Sequence, residues 1–124
     1  MKRLVAQSIA FVYAPGEGPR TESDPLNPDP AAATTVDAVR ALEEAALSLS
    51  EGIVLRYGLL YGPGTWSPDK PIRPPSIHVA AAAQACLRAL ERGRPGIYNL
   101  AEDDGYCSSD KAKRDFGFDA AFRV

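Results

Sequence analysis

The chain has 124 residues, of which 45% are hydrophobic and 24% are charged, and its formal net charge is −2. This length fits one domain, and the composition is ordinary for a soluble globular protein. The small net charge gives no electrostatic reason to expect a nucleic acid or an anionic membrane as a partner.

The first predicted element is a strand over Leu4 to Val12, because this run is largely apolar. Gln7 and Ser8 interrupt the run, and the sequence after it is a poor cleavage site, so a strand is favoured over a signal peptide. Five prolines and two glycines between Ala14 and Ala31 then predict a surface loop.

A helix is predicted after this loop, with Thr34 or Thr35 as its cap and Gly52 at its end. Apolar residues at helical spacing predict its buried face, which comprises Val36, Val39, Leu42, Ala46 and Leu49. The charged residues fall outside this face, and they are Asp37, Arg40, Glu43 and Glu44.

Two further strands and two further helices complete the prediction. The strands span Ile53 to Leu60 and Gly96 to Ala101, and a loop rich in proline and glycine follows the first of them. One helix spans Val79 to Arg92, and a short one begins after Ser108 or Ser109 and ends at Gly117. This alternation predicts an α/β fold with a small parallel sheet of about three strands and flanking helices.

The predicted strand ends carry the residues that could bind a ligand. Ligands of open parallel sheets bind outside the carboxyl ends of the strands. We expect Tyr61 and His78 as catalytic candidates, although Tyr61 also suits a structural turn and His78 could simply cap its helix. The expected ligand-binding residues are Ser8, Tyr13, Tyr57, Trp66 and Asn99.

The cysteines and the histidine do not form a metal motif. Cys86 and Cys107 are far apart, and His78 is the single histidine, so no metal site is expected. Cys86 lies in an alanine-rich helix and is expected in the core, whereas Cys107 lies in a loop as a possible free thiol. Two unpaired cysteines favour a reducing cytoplasm.

Several motifs together resemble the extended short-chain dehydrogenase/reductase family, the NAD-dependent epimerases and dehydratases. The motifs are Arg56-Tyr57-Gly58-Leu59-Leu60-Tyr61-Gly62-Pro63-Gly64, Ile77-His78-Val79, Gly96-Ile97-Tyr98-Asn99-Leu100 and the segment from Ser109 to Phe118. The resemblance covers nearly the whole chain. It implies that residues 1–124 form a single domain, the C-terminal portion of a Rossmann-like fold, truncated so that the Gly-rich dinucleotide-binding half is lacking.

The chain departs from this family where the family does its chemistry. The family uses a Tyr-x-x-x-Lys pair on the first helix, but those positions hold Thr35 and Val39 here, or Val36 and Arg40 in the neighbouring register. The position of the family's catalytic serine or threonine holds Ile9. The motif Gly-x-x-Gly-x-x-Gly, which binds the cofactor's pyrophosphate, does not occur. NAD(P) is therefore implied by resemblance only, and no cofactor is expected on this chain.

Three functions remain open from the sequence. The chain could be an epimerase/dehydratase-like protein of the nucleotide-sugar or small-metabolite type without redox activity of its own. It could be a cofactor-independent cyclase, hydratase or isomerase, or a non-catalytic partner in an oligomer. A homo-oligomer is expected through the exposed first strand or through helix faces, because no proline or charge blunts the edge from Leu4 to Val12.

Overall fold

The structure is a computed structural model, and it describes residues 3–123. Strands and helices alternate along this part of the chain. The strands are β1 (Leu4–Ile9), β2 (Gly52–Tyr57), β3 (Leu59–Tyr61), β4 (Ser76–His78) and β5 (Gly96–Leu100). The helices are α1 (Ala33–Leu47), α2 (Val79–Arg92) and α3 (Asp110–Phe116), and a 3-10 turn at Pro30–Ala32 precedes α1.

The main sheet has three parallel strands in the order β1-β2-β5. Helix α1 connects β1 to β2 and packs on one face of this sheet, while α2 and α3 lie on the other face. This arrangement confirms the predicted α/β class and the small parallel sheet with flanking helices. The strand β1 forms one edge of the sheet, with β2 as its neighbour.

The predicted second strand is two strands, separated at Gly58. Strand β2 stays in the main sheet, whereas β3 pairs in parallel with β4, which the sequence prediction missed. A Cβ atom on Gly58 would lie 2.9 Å from the Ser76 backbone nitrogen, so glycine is what lets the two segments approach. The predicted first strand is also shorter than expected, because it ends at Ile9 rather than at Val12.

The main apolar core lies between the sheet and α2 with α3. Leu55 and Tyr57 of β2 pack there with Tyr98 of β5 and Phe116 of α3. The side of α2 that faces them consists of alanines, which let the helix lie close to the sheet. These alanines are Ala80, Ala81, Ala82, Ala85 and Ala89.

The buried face of α1 differs from the predicted one. Glu43 is buried with only 5% of its surface exposed, whereas Leu42 is 42% and Leu49 is 44% exposed. The helix is rotated so that the Glu43 carboxylate reaches an arginine of the sheet. The prediction for Cys86 was also wrong, because this thiol is exposed, while Cys107 is a free cysteine that is buried. None of the helices within residues 3–123 is long and apolar enough to cross a membrane.

Candidate functional site

A row of polar side chains crosses the main sheet. Ser8 of β1 lies beside Arg56 of β2, and Arg56 lies beside Asn99 of β5. Because side chains alternate between the two faces of a strand, these three point to the same face. That face is the one covered by α1, and all three residues are buried.

Arg56 forms a buried ion pair with Glu43 of α1. Its Nε and Nη2 atoms donate hydrogen bonds to the two carboxylate oxygens, at 2.8 Å and 2.7 Å. Both side chains are almost fully buried, with 5% and 6% of their surfaces exposed. Burial disfavours the guanidinium charge, but the hydrogen bond to Glu43 and the neighbouring Tyr13 outweigh it, so the pKa of Arg56 is raised. The two-point geometry fixes α1 against β2.

Tyr13 extends this pair toward the end of the sheet. Its hydroxyl accepts a hydrogen bond from Arg56 Nη1 at 2.8 Å and donates one to Asn99 Oδ1 at 2.5 Å. Ser8 Oγ donates to Glu43 Oε2 at 2.8 Å. These five residues, Ser8, Tyr13, Glu43, Arg56 and Asn99, form what we call the Arg56 cluster.

The Arg56 cluster also anchors the proline-rich loop. The Asn99 backbone nitrogen donates to Glu22 Oε2 at 2.8 Å, and Asn99 Nδ2 donates to the Arg20 carbonyl at 3.4 Å. Glu22 therefore satisfies a backbone donor of β5 that no strand pairs, and it fastens the loop across that edge of the sheet.

The chemistry of the Arg56 cluster is that of a closed network. Within residues 3–123, no buried side-chain nitrogen or oxygen lacks a hydrogen-bond partner. Burial raises the pKa of Tyr13 to about 12, although Arg56 opposes this shift. The hydroxyl therefore keeps its proton at neutral pH. Such a network holds elements in place.

A second group of polar side chains lies where β3 and β4 end. Tyr61 donates a hydrogen bond to the Glu102 carboxylate and accepts one from Arg123 Nη2 at 3.0 Å. The Glu102 carboxylate also accepts from Ser76 Oγ at 3.3 Å. The rings of Tyr61 and His78 meet edge to face, with 5.1 Å between their centroids. We call these five residues the Tyr61 cluster.

The protonation of the Tyr61 cluster follows from its contacts. Burial and the hydrogen bond to Glu102 raise the pKa of Tyr61. His78 caps α2, because its Nδ1 atom accepts a hydrogen bond from the Ala80 backbone nitrogen at 3.0 Å. In the neutral ring, the proton therefore sits on Nε2, which faces Gly62. Tyr61 is thus a hydrogen-bond donor rather than a base at neutral pH.

The structure divides the predicted site residues among several places. Ser8, Tyr13 and Asn99 join the Arg56 cluster, whereas Tyr61 and His78 join the Tyr61 cluster. Tyr57 points to the opposite face of the sheet, where its hydroxyl donates to the Ala82 carbonyl at 2.9 Å. Trp66 is fully exposed on its loop. A role in ligand binding or catalysis stays a prediction for each of these residues.

Sequence reasoning missed four charged members of these clusters, which are Arg56, Glu43, Glu102 and Arg123. A signal existed for two of them. Arg56 interrupts the apolar run of β2, and Glu43 lies seven residues after Val36 on the same helical stripe. A buried charge of each sign on adjacent elements predicts an ion pair. Glu102 lies in an acidic turn and offers no such signal.

A groove between β1 and α1 is lined by Thr35 and Val39, which are the positions of the family's catalytic pair in one of the two predicted registers. Its volume is about 420 Å³. Thr35 and Val39 lie on its helix side and Ile9 on its strand side, and the other lining residues are Gln7, Ser8, Ala38 and Leu42. The lining contains no positive charge and no phenol. The residues present therefore do not fit the nicotinamide end of a dinucleotide that needs a tyrosine and a lysine beside it.

Comparisons with known proteins agree with this fold. No protein-family model matches the chain. One curated relative, a "3-diazoavenalumate denitrifying reductase" from Streptomyces sp, is 55% identical over a 69-residue alignment, with 52% of this chain and 23% of the relative covered. The chain therefore spans about a quarter of the length of this relative.

Three similar solved structures are enzymes in complex with NAD. A dTDP-glucose 4,6-dehydratase from Bacillus anthracis str. Ames has a TM-score of 0.75 at 18% identity, over 97% of this chain and 57% of that one. A UDP-glucuronic acid 4-epimerase from Bacillus cereus has a TM-score of 0.70 at 13% identity, and the match covers 99% of this chain and 57% of that one. A dTDP-glucose 4,6-dehydratase from Streptomyces venezuelae has a TM-score of 0.68 at 19% identity, and the match covers 99% of this chain and 56% of that one. These neighbours are NAD-dependent epimerases and dehydratases, which matches the family that the sequence resembles, and they show the fold.

Proposed function

We propose that this chain is an epimerase/dehydratase-like protein of the extended short-chain dehydrogenase/reductase type that transfers no hydride by itself. Three findings support the lineage: the fold, its NAD-binding neighbours, and the 55% identity to part of a reductase. The observation that supports the lack of redox activity is the β1–α1 groove, whose lining includes Thr35 and Val39. These residues occupy the tyrosine and lysine positions in one predicted register, and Val36 and Arg40 occupy them in the other.

The physical reason lies in what those two positions must do. In the family, the phenol transfers a proton and the lysine lowers its pKa. Thr35 is exposed and its hydroxyl is far less acidic than a phenol, while Val39 is buried and has no charge. The sequence also offers no Gly-rich turn for a pyrophosphate. We therefore assign no step of a reaction to NAD on this chain.

Titration calorimetry with NADH and NADPH tests this proposal. We expect no dissociation constant of micromolar or tighter, which would correspond to about −8 kcal/mol. The variant Thr35→Ala serves as a control, because it should change nothing if no hydride chemistry takes place in the groove. Tight binding, or hydride transfer that Thr35→Ala abolishes, would overturn the proposal.

We also propose that the chain associates with a second copy through β1. Strand β1 is an edge of the sheet, and Gln7 is its exposed residue. The adjoining groove is lined largely by apolar groups, among them the exposed Leu42. Leu47 and Leu49, at the end of α1 and just after it, are exposed as well. A two-fold axis would pair two β1 strands antiparallel and cover both grooves.

Size-exclusion chromatography with light scattering tests this association at micromolar concentration. We expect a dimer for the native chain and a monomer for Gln7→Pro, since proline removes an edge donor. The matched control is Gln84→Ala on the α2 helix, which should leave the dimer intact. A stable monomer of the native chain would show that the edge stays unpaired.

The two free cysteines fit a protein of the reducing cytoplasm, which we propose as its location. Cys86 is exposed and Cys107 is buried, and burial raises the pKa of Cys107 to about 12. A buried thiol that stays protonated is unreactive. Mass spectrometry of the protein from its native source should find both thiols reduced, and an inter-chain disulfide through Cys86 would contradict this.

A further inference from the structure

The outer side of β5 is the second edge of the main sheet, opposite the edge formed by β1. The Gly58 nitrogen donates to the Leu100 carbonyl at 3.0 Å, so the backbone groups of Leu100 face β2. Because backbone groups alternate in direction along a strand, those of Ile97, Asn99 and Ala101 face away from β2. These three residues form the row to which a further strand would bind.

Two residues of this row are bonded by side chains instead of by a strand. The Glu22 carboxylate accepts a hydrogen bond from the Asn99 nitrogen at 2.8 Å. Ser109 Oγ accepts one from the Ala101 nitrogen at 3.0 Å and donates one to the Ala101 carbonyl at 3.1 Å. Ser109 is only 1% exposed, so its hydroxyl is held where an added strand would have to enter.

Lys111 of α3 covers the remaining residue of the row. Its Nζ atom donates to the Ile97 carbonyl at 2.6 Å and lies 4.5 Å from the centroid of the Tyr98 ring. A Cβ atom on Gly96 would lie 3.3 Å from Nζ, so glycine at that position leaves room for the ammonium group. A lysine held against a strand edge opposes strand addition, because the incoming strand must displace a charge. We call Glu22, Ser109 and Lys111 the edge caps.

Strand β1 has no comparable cover. The Ala10 nitrogen donates to the Tyr57 carbonyl at 2.9 Å, so the backbone groups of Val5, Gln7 and Ile9 face away from β2. Within residues 3–123, no side chain is hydrogen-bonded to the backbone of these three residues. The two edges of one sheet therefore differ, since side chains bond to the β5 edge and the β1 edge is open.

We propose that the edge caps prevent a strand from adding to β5, so that copies of this chain associate through β1 alone and assembly stops at two. A sheet with two open edges can accept a copy at each edge, and the assembly then grows without closing. With β5 capped, a two-fold pair of β1 strands is closed. The limit of two copies rests on the association through β1 proposed above, whereas the capping of β5 does not.

Amide hydrogen exchange of the native chain, followed by ¹H–¹⁵N NMR, tests the caps directly. We expect the Asn99 and Ala101 amides to be protected although no strand pairs with them. Glu22→Ala should speed the exchange of Asn99 about tenfold and leave that of Ala101 unchanged, since Ser109 still bonds Ala101. Exchange of Asn99 in the native chain as fast as that of an exposed loop amide, or equal acceleration of both amides, would overturn the capping.

Light scattering at micromolar concentration tests the consequence for assembly. Gln7→Pro blocks β1 and should give a monomer, and adding Glu22→Ala with Lys111→Met should restore a dimer, now through β5. In the chain with native β1, the same two cap substitutions should give species larger than a dimer. The matched control is Glu17→Ala with Lys113→Met, which changes the same residue types at positions that do not bond the β5 backbone.

The outcomes separate this inference from the proposed association through β1. A native chain that is a monomer would contradict that association, but the capping stands if removal of the caps makes the chain associate. Uncapped variants that fold, exchange Asn99 rapidly and keep the size of their parent chain would overturn the inference, as would equal growth of the control pair. If the uncapped variants do not fold, the exchange of Asn99 in the native chain decides.

Discussion

The two faces of the main sheet are built from the same three strands but are held in opposite ways. On the α2 and α3 face, Leu55 and Tyr98 pack in an apolar core. On the α1 face, Ser8, Arg56 and Asn99 form a polar row that is just as buried. Apolar packing tolerates exchange of similar shapes, whereas the polar row depends on each of its directional bonds. Burial therefore does not distinguish the faces, but their response to substitution should.

This comparison carries the central claim of our account. The polar residues of the Arg56 cluster hold α1, the sheet and the proline-rich loop together. Within residues 3–123, none of their buried side-chain nitrogens and oxygens lacks a hydrogen-bond partner. Matched substitutions on the two faces should therefore differ in their effect on stability.

The largest loss is expected for Arg56→Leu on the polar face. This change leaves the Glu43 carboxylate buried without its partner, which costs about 3 to 5 kcal/mol of the free energy of unfolding. Urea denaturation followed by circular dichroism measures the change. A loss below about 1 kcal/mol would mean that water reaches Glu43 and that the cluster is not closed.

Leu55→Ala on the apolar face should cost somewhat less, about 3 kcal/mol. Leu55 is 1% exposed and precedes Arg56 in the same strand, so the two variants disturb opposite faces at neighbouring positions. The loss combines the transfer of the removed carbon atoms with the cavity left behind. The same urea experiment applies, and a loss larger than that of Arg56→Leu would reverse the comparison.

Removal of one hydroxyl from each face gives a finer comparison. Tyr13→Phe leaves Arg56 Nη1 and Asn99 Oδ1 each without a partner, so we expect a loss of about 2 kcal/mol. Tyr57→Phe removes one neutral hydrogen bond to the Ala82 carbonyl, so about 1 kcal/mol is expected. Equal losses in thermal or urea unfolding would show that the charge on Arg56 adds nothing to the Tyr13 bond.

The smallest expected effect on stability at neutral pH comes from the ionisation of Tyr13. Burial raises the pKa of Tyr13 from 10.0 to about 12, so the folded chain holds this proton more tightly than the unfolded chain. The stability from Tyr13 is therefore intact below pH 10 and is lost as the pH rises toward about 12. Alkaline unfolding should be less steep in Tyr13→Phe. An identical profile for the native chain and this variant would contradict the assignment.

The sequence predicted the fold better than it predicted the clusters, for physical reasons. Strand and helix positions follow from the spacing of apolar residues, which each element carries by itself. The burial of Glu43 and the exposure of Leu42 do not follow from apolar spacing, because they depend on Arg56 in another element. The break at Gly58 likewise depends on how closely the Ser76 backbone approaches. Hydrophobic periodicity assumes that charges face water, and a buried pair violates that assumption.

The most direct test of the central claim compares Arg56→Leu, Glu43→Leu and the double variant by urea denaturation. We predict that each single variant loses about 3 to 5 kcal/mol and that the double variant is more stable than either, because no buried charge is left unpaired. A single variant that is unfolded without urea agrees with the predicted loss if the double variant folds. Losses that simply add in the double variant would contradict the account, because Arg56 and Glu43 would then act independently.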